Sequence, residues 1–80
     1  MKNKVDREHP FFEKYALLIK SAKKHNGKSI KDISSDTKIL TSTLYHYLER
    51  QRMPTVTVLE KLADYFGVTT DYLLGREEWQ

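Results

Sequence analysis

Residues 43–75 read TLYHYLERQRMPTVTVLEKLADYFGVTTDYLLG, and the punctuation of this stretch decides the fold. Pro54 lacks a backbone donor, so it closes off any helix that precedes it. Upstream of it, Leu44, Tyr47 and Leu48 fall on one side of a helix spanning about Thr41 to Glu49. Thr41, Ser42, Tyr45, His46 and Glu49 lie largely on the other side. Downstream, Thr55 caps a helix whose apolar face is Val58, Leu59, Leu62, Ala63 and Phe66. Gly67 stands where a left-handed residue ends such a helix. Thr69 then caps a last short helix through Leu74, with Asp71 favourable near its positive end, and Gly75 closes it.

The same grammar continues toward the N-terminus. Ser29 suits the cap of a short helix through Thr37, with Asp32 as the return acid of a capping box and Ile30, Ile33 and Thr37 facing inward. Before it, Phe11, Tyr15, Leu18, Ile19 and Ala22 recur at the spacing of one helix face, which predicts a helix over Pro10–Lys24. Pro10 fits its first turn, and Asn26-Gly27 is a stop signal. Residues 1–9 read as a flexible arm and residues 76–80 as a tail, on either side of one domain over residues 10–75. No alternating strand pattern occurs. The expected fold is all-α, five short helices joined by tight turns.

Composition narrows the function. Eighty residues make one domain with a modest core. The absence of cysteine excludes disulfides and thiolate metal sites. No apolar run resembles a signal peptide or is long enough for a bilayer, so no membrane role is expected. His9, His25 and His46 fall in three different elements without ligand spacing, and neither a metal nor a cofactor is expected. No glycine loop cradles a phosphate and no catalytic constellation is present, so the chain reads as a non-enzyme. The net charge is +3, unevenly spread: residues 1–31 hold nine Lys/Arg against three acids, and residues 55–80 two against five. A basic N-terminal half suits a polyanion, although Lys23, Lys24 and Lys28 are equally suited to solvating a helix end.

Two short helices joined by a tight turn, the second with an outward face of small hydrogen-bonding side chains, match the mechanics of major-groove reading. Thr41, Ser42, Tyr45 and His46 are spaced to share that face. Threonine can touch a thymine methyl and histidine can pair with guanine. Periodicity alone is equally compatible with a solvated helix face.

The stretch resembles the Cro/repressor helix-turn-helix family, also called the XRE family. Thr43, Leu44, Tyr47, Arg52, Pro54 and Thr55 match the first part of its pattern. Val58, Lys61, Leu62, Ala63, Phe66, Gly67, Val68, Thr69 and Asp71 through Gly75 match the second, and the run from Leu62 to Gly75 is quite specific. Weaker similarity at Ile19, Lys20, Ala22 and Lys23 extends the resemblance over about residues 11–75. It implies a lambda-repressor-like domain in a prokaryotic or phage-encoded, cytoplasmic transcriptional regulator. Such a protein would repress as a homodimer on an inverted repeat in double-stranded DNA. Carried over by position, base reading falls to Thr41, Ser42, Tyr45 and His46, and phosphate contacts to Lys28, Ser29, Lys31, Lys38, Arg50, Gln51 and Arg52. Tyr72, Leu73 and Trp79 are candidate dimer contacts. An anti-repressor, or a C-terminal domain outside this chain, would be a further partner. A different class of function on the same fold is a protein-interaction module, using the acidic C-terminal end and Trp79.

Several positions depart from the pattern. Ile30 replaces a favoured glutamine and is expected to turn inward. Lys38 replaces the turn glycine, with strain if its φ is positive. Leu40 replaces the Ser/Thr cap of the third helix, which would hand the cap to Thr41 and shift the helix start by one. Arg50 replaces the glycine after that helix, suggesting a longer helix or a different loop. Lys23 and Leu48 stand where an Arg–Glu pair is frequent, and losing both members strands no charge.

Overall fold

A computed structural model describes residues 5–77. Five helices follow one another: α1 (Pro10–Asn26), α2 (Ile30–Thr37), α3 (Thr41–Leu48), α4 (Val56–Phe66) and α5 (Thr70–Leu73). There is no strand among the described residues, and the all-α expectation is borne out. The long α1 packs on α3 and α5, α2 packs on α3 and α4, and α4 closes on α5.

Capping chemistry sets the helix ends. Ser29 and Asp32 form the expected capping box, and Thr55 and Thr69 accept the amides of Val58 and Tyr72. The start of α1 uses a device the periodicity did not show: the His9 Nδ1 accepts the Phe11 amide at 3.1 Å. The helix also runs two residues past Lys24, because Gly27 adopts φ 65 and its amide and that of Lys28 reach back to the Lys23 and Ala22 carbonyls. Glycine takes this left-handed turn without a Cβ penalty.

The core is built around aromatics. Phe11, Tyr15 and Tyr47 are buried with their rings 5.5–5.9 Å apart, stacked or edge to face. Phe12 joins them, although it lies off the face the helical spacing selected. The Tyr15 hydroxyl donates to the Leu44 carbonyl at 2.9 Å and so ties α1 to α3. Ile33, Leu44, Leu62 and Leu73 complete the fully buried set, and Ile30 packs inward as expected.

Two expectations are corrected here. Residues 1–4 of the segment read as a flexible arm lie outside the described residues, and from Val5 onward it is tied down: Val5 packs on the core, Asp6 turns the chain by accepting from Glu8 and His9, and Arg50 bonds the Arg7 carbonyl. Leu73, a candidate dimer contact, is fully buried. Its side chain is used up inside the domain and offers no surface to a second copy. Tyr72 is half-buried beneath the Lys14 ammonium, 4.8 Å from the ring centre. Trp79 lies outside the described residues.

The two ends of the domain meet at Gly75 and Pro10. Gly75 has φ 77, and a β-carbon there would lie 2.5 Å from the Pro10 Cβ and 2.8 Å from its Cγ. The proline ring cannot swing away. Gly75→Ala is therefore expected to destabilise by about 2–4 kcal/mol, combining left-handed strain with overpacking. A urea melt of the variant within 0.5 kcal/mol of the parent, on the scale of ordinary surface changes, would refute this close approach.

Candidate nucleic-acid interface

The turn between α2 and α3 determines how the third helix is presented. Thr37 is buried, and its hydroxyl donates to the Ile33 carbonyl at 2.7 Å while accepting the Ile39 amide at 3.3 Å. The Ser34 hydroxyl donates to the Ile39 carbonyl. Ile39 itself is buried, so its backbone is held on both polar atoms and its side chain is anchored in the core. Ser34, a weak helix former by propensity, is thus used to stitch the exit of α2. Lys38 keeps the left-handed conformation of the glycine it replaces, at φ 65. That conformation costs a residue with a Cβ about 1 kcal/mol, and the stitched turn enforces it.

Within α3, Leu44 and Tyr47 point into the core, while Thr41, Ser42 and Tyr45 are exposed. His46 is half-buried, and its Nδ1 is shut away from solvent with no hydrogen-bond partner among the described residues. A buried N–H with no acceptor is rarer and costlier than an under-used lone pair. In the neutral ring this favours the tautomer with the lone pair on Nδ1 and the N–H on Nε2. The helix begins at Thr41, but Thr41 does not take over as its cap. Leu40 occupies that position with no side-chain bond to the helix. Nor is α3 longer than expected at its other end. Arg50 adopts φ 59, so the Gln51 amide reaches the His46 carbonyl at 2.9 Å as it would after a glycine.

The basic residues divide into engaged and open groups. Lys31, Lys38, Gln51 and Arg52 are exposed, with no side-chain partner among the described residues. Lys28 instead pairs with Asp36 at 3.1 Å, and the Tyr65 hydroxyl donates to the same carboxylate oxygen at 2.7 Å. The Tyr65 bond, and then Lys28, lower the Asp36 pKa. Loss of solvent, then that same bond to Asp36, pushes the Tyr65 hydroxyl up to about 12. Ser29 is also committed. Its amide and hydroxyl both bond the Asp32 carboxylate, whose pKa they lower, so a phosphate arriving there would meet a negative charge. The phosphate contact expected of Ser29 would have to compete with that carboxylate. Arg50, though exposed, is likewise engaged, its guanidinium donating to the Arg7 carbonyl at 2.8 Å and resting over the Phe12 ring. It tethers the N-terminal segment, so the phosphate role expected of it would require this bond to open. Sequence reading also missed Ser34 and Tyr65, whose only signal was a hydroxyl near a helix end.

A helix with a buried inner face, a fixed turn and a second helix with an open polar face define a helix-turn-helix domain. Residues 17–78 match the family model described as a helix-turn-helix domain. The chain belongs to the Cro/repressor, or XRE-type, helix-turn-helix family. It is 33% identical over 60 residues to the HTH-type transcriptional regulator ImmR of Bacillus subtilis (strain 168), a match covering 75% of this chain and 47% of that protein. The chain thus spans about half the length of the curated relative. No solved structure matches it significantly. No helix among the described residues is long and apolar enough to cross a membrane, and no three acidic or histidine side chains among them converge as metal ligands do.

Proposed function

We propose that this chain is a sequence-specific, double-stranded-DNA-binding transcriptional regulator, a repressor that sets α3 into the major groove and acts as a homodimer on an inverted repeat. The observation that carries this reading is the exposed polar face of α3, held by a turn in which both backbone polar atoms of Ile39 are bonded. Thr41, Ser42 and Tyr45 face the base edges in this reading. His46 offers its Nε2–H as a donor, which suits the N7 and O6 acceptors of guanine. Lys31, Lys38, Gln51 and Arg52 flank the helix as phosphate contacts, since phosphates fix register while bases specify.

Selection of bound duplexes from a random pool tests the proposal. An enriched inverted repeat is expected, its half-sites roughly 10 base pairs apart or a multiple of that. Replacing guanine by 7-deazaguanine at the base facing His46 should weaken binding, by up to ~1–3 kcal/mol for a full guanine contact. Recovery of random sequence, or no recovery at all, would count against base reading and favour a protein-binding role for the same fold.

A further inference from the structure

Leu40 breaks two local rules at once. It occupies the N-cap of α3, where leucine cannot accept the amides that Ser, Thr or Asp would, and it is 71% exposed. Its backbone, at φ −57 and ψ 140, is already extended in the manner of a capping residue. Nothing in the fold requires an apolar side chain there. Where a sequence accepts such a penalty without a packing gain, the compensation is commonly functional.

We infer that Leu40 is a specificity residue whose side chain covers thymine C5-methyl groups in the major groove, an assignment that rests on the DNA-binding reading above. Its place supports this occupant. Leu40 directly precedes the exposed Thr41 and Ser42, at the end of the recognition helix that approaches base edges most closely. Two residues before it, Lys38 puts an exposed cation beside the same surface, which fits a neighbouring phosphate and not an apolar protein face. A single leucine is also far short of the roughly 800 Å² per partner that a stable protein interface buries. A thymine methyl is the apolar feature that the major groove presents to it.

Leu40→Ser separates the two sides of this trade. The serine supplies the missing cap, and the melting temperature is expected to rise by about 4–8 °C. Affinity for the duplex selected by the parent chain should fall about fourfold per lost methyl contact. Replacing each thymine of that duplex in turn by uracil removes only the methyl. At one position the parent should lose about the same fourfold, while Leu40→Ser should lose nothing. Equal uracil penalties in both proteins, or unchanged affinity in the variant, overturn the Leu40 assignment alone. Loss of self-association in Leu40→Ser by sedimentation gives the residue to a second copy and also overturns it. Failure of the parent to select any duplex overturns the DNA-binding reading and this inference together.

Discussion

Tyr15→Ala is expected to remove about a third to a half of the domain's stability, shifting its urea transition to a much lower midpoint. Tyr15 is fully buried, stacked on Phe11 at 5.5 Å and edge-on to Tyr47 at 5.7 Å, and its hydroxyl bonds the Leu44 carbonyl. Removing a large buried aromatic costs about 3–5 kcal/mol. A domain of this size holds only roughly 4–12 kcal/mol in total. Tyr15→Phe keeps the ring and loses one bond to a carbonyl, so a drop of about 1–2 kcal/mol is expected. Equal losses in the two variants would show that the hydroxyl, and not the aromatic cluster, joins α1 to α3. The alkaline limb of stability carries a second signature. Burial raises the Tyr15 hydroxyl far above its ordinary value, with a smaller push from Tyr47. A folded-state pKa above the unfolded one means the contribution is complete below about pH 10 and falls as pH climbs, because only the unfolded chain ionises there. Tyr15→Phe should flatten that fall.

How much of this was legible depends on what kind of signal each residue carries. Tyr15, Leu44 and Leu62 announced themselves through helical spacing, because burial of one helix face leaves a periodic trace. Ser29, Thr55 and Thr69 did so through capping chemistry, which is local and therefore readable. Phe12 did not, since the closing of α1 against the segment around Arg7 and Arg50 buries a position that periodicity places off the core face. The turn was hidden for a related reason. Ser34 and Thr37 look like poor helix formers, and only the path of Ile39 beside them shows that their hydroxyls hold the turn. Lys38 and Arg50 are informative in the opposite direction. Both stand where glycine is usual, and both keep φ near 60, so the surrounding bonds dictate the backbone and the side chain complies. The list of basic residues was legible as a list, but not as a division of labour. Charge counts cannot show that Arg50 faces a carbonyl and Lys28 a carboxylate.

That division has a measurable consequence in salt. A dimer contacting six to ten phosphates is expected to lose roughly 10³–10⁵ in affinity between 50 and 200 mM salt. Lys38 and Arg52 are exposed and without side-chain partners among the described residues, so alanine at either should weaken all duplexes alike. Each substitution should reduce the logarithmic salt slope by about one per protomer. Arg50→Ala should leave the slope alone and instead lower stability, since the Arg7 carbonyl loses its donor and Phe12 its cover. Lys28 falls between these cases. Asp36 now competes with phosphate for its ammonium, and Asp36→Asn removes the competing charge. That variant should bind any duplex more tightly with a steeper salt slope, an effect that Lys28→Ala in the same chain abolishes. A slope flattened as much by Arg50→Ala as by Arg52→Ala would mean that the guanidinium leaves Arg7 on binding, and that the N-terminal segment is released when DNA arrives.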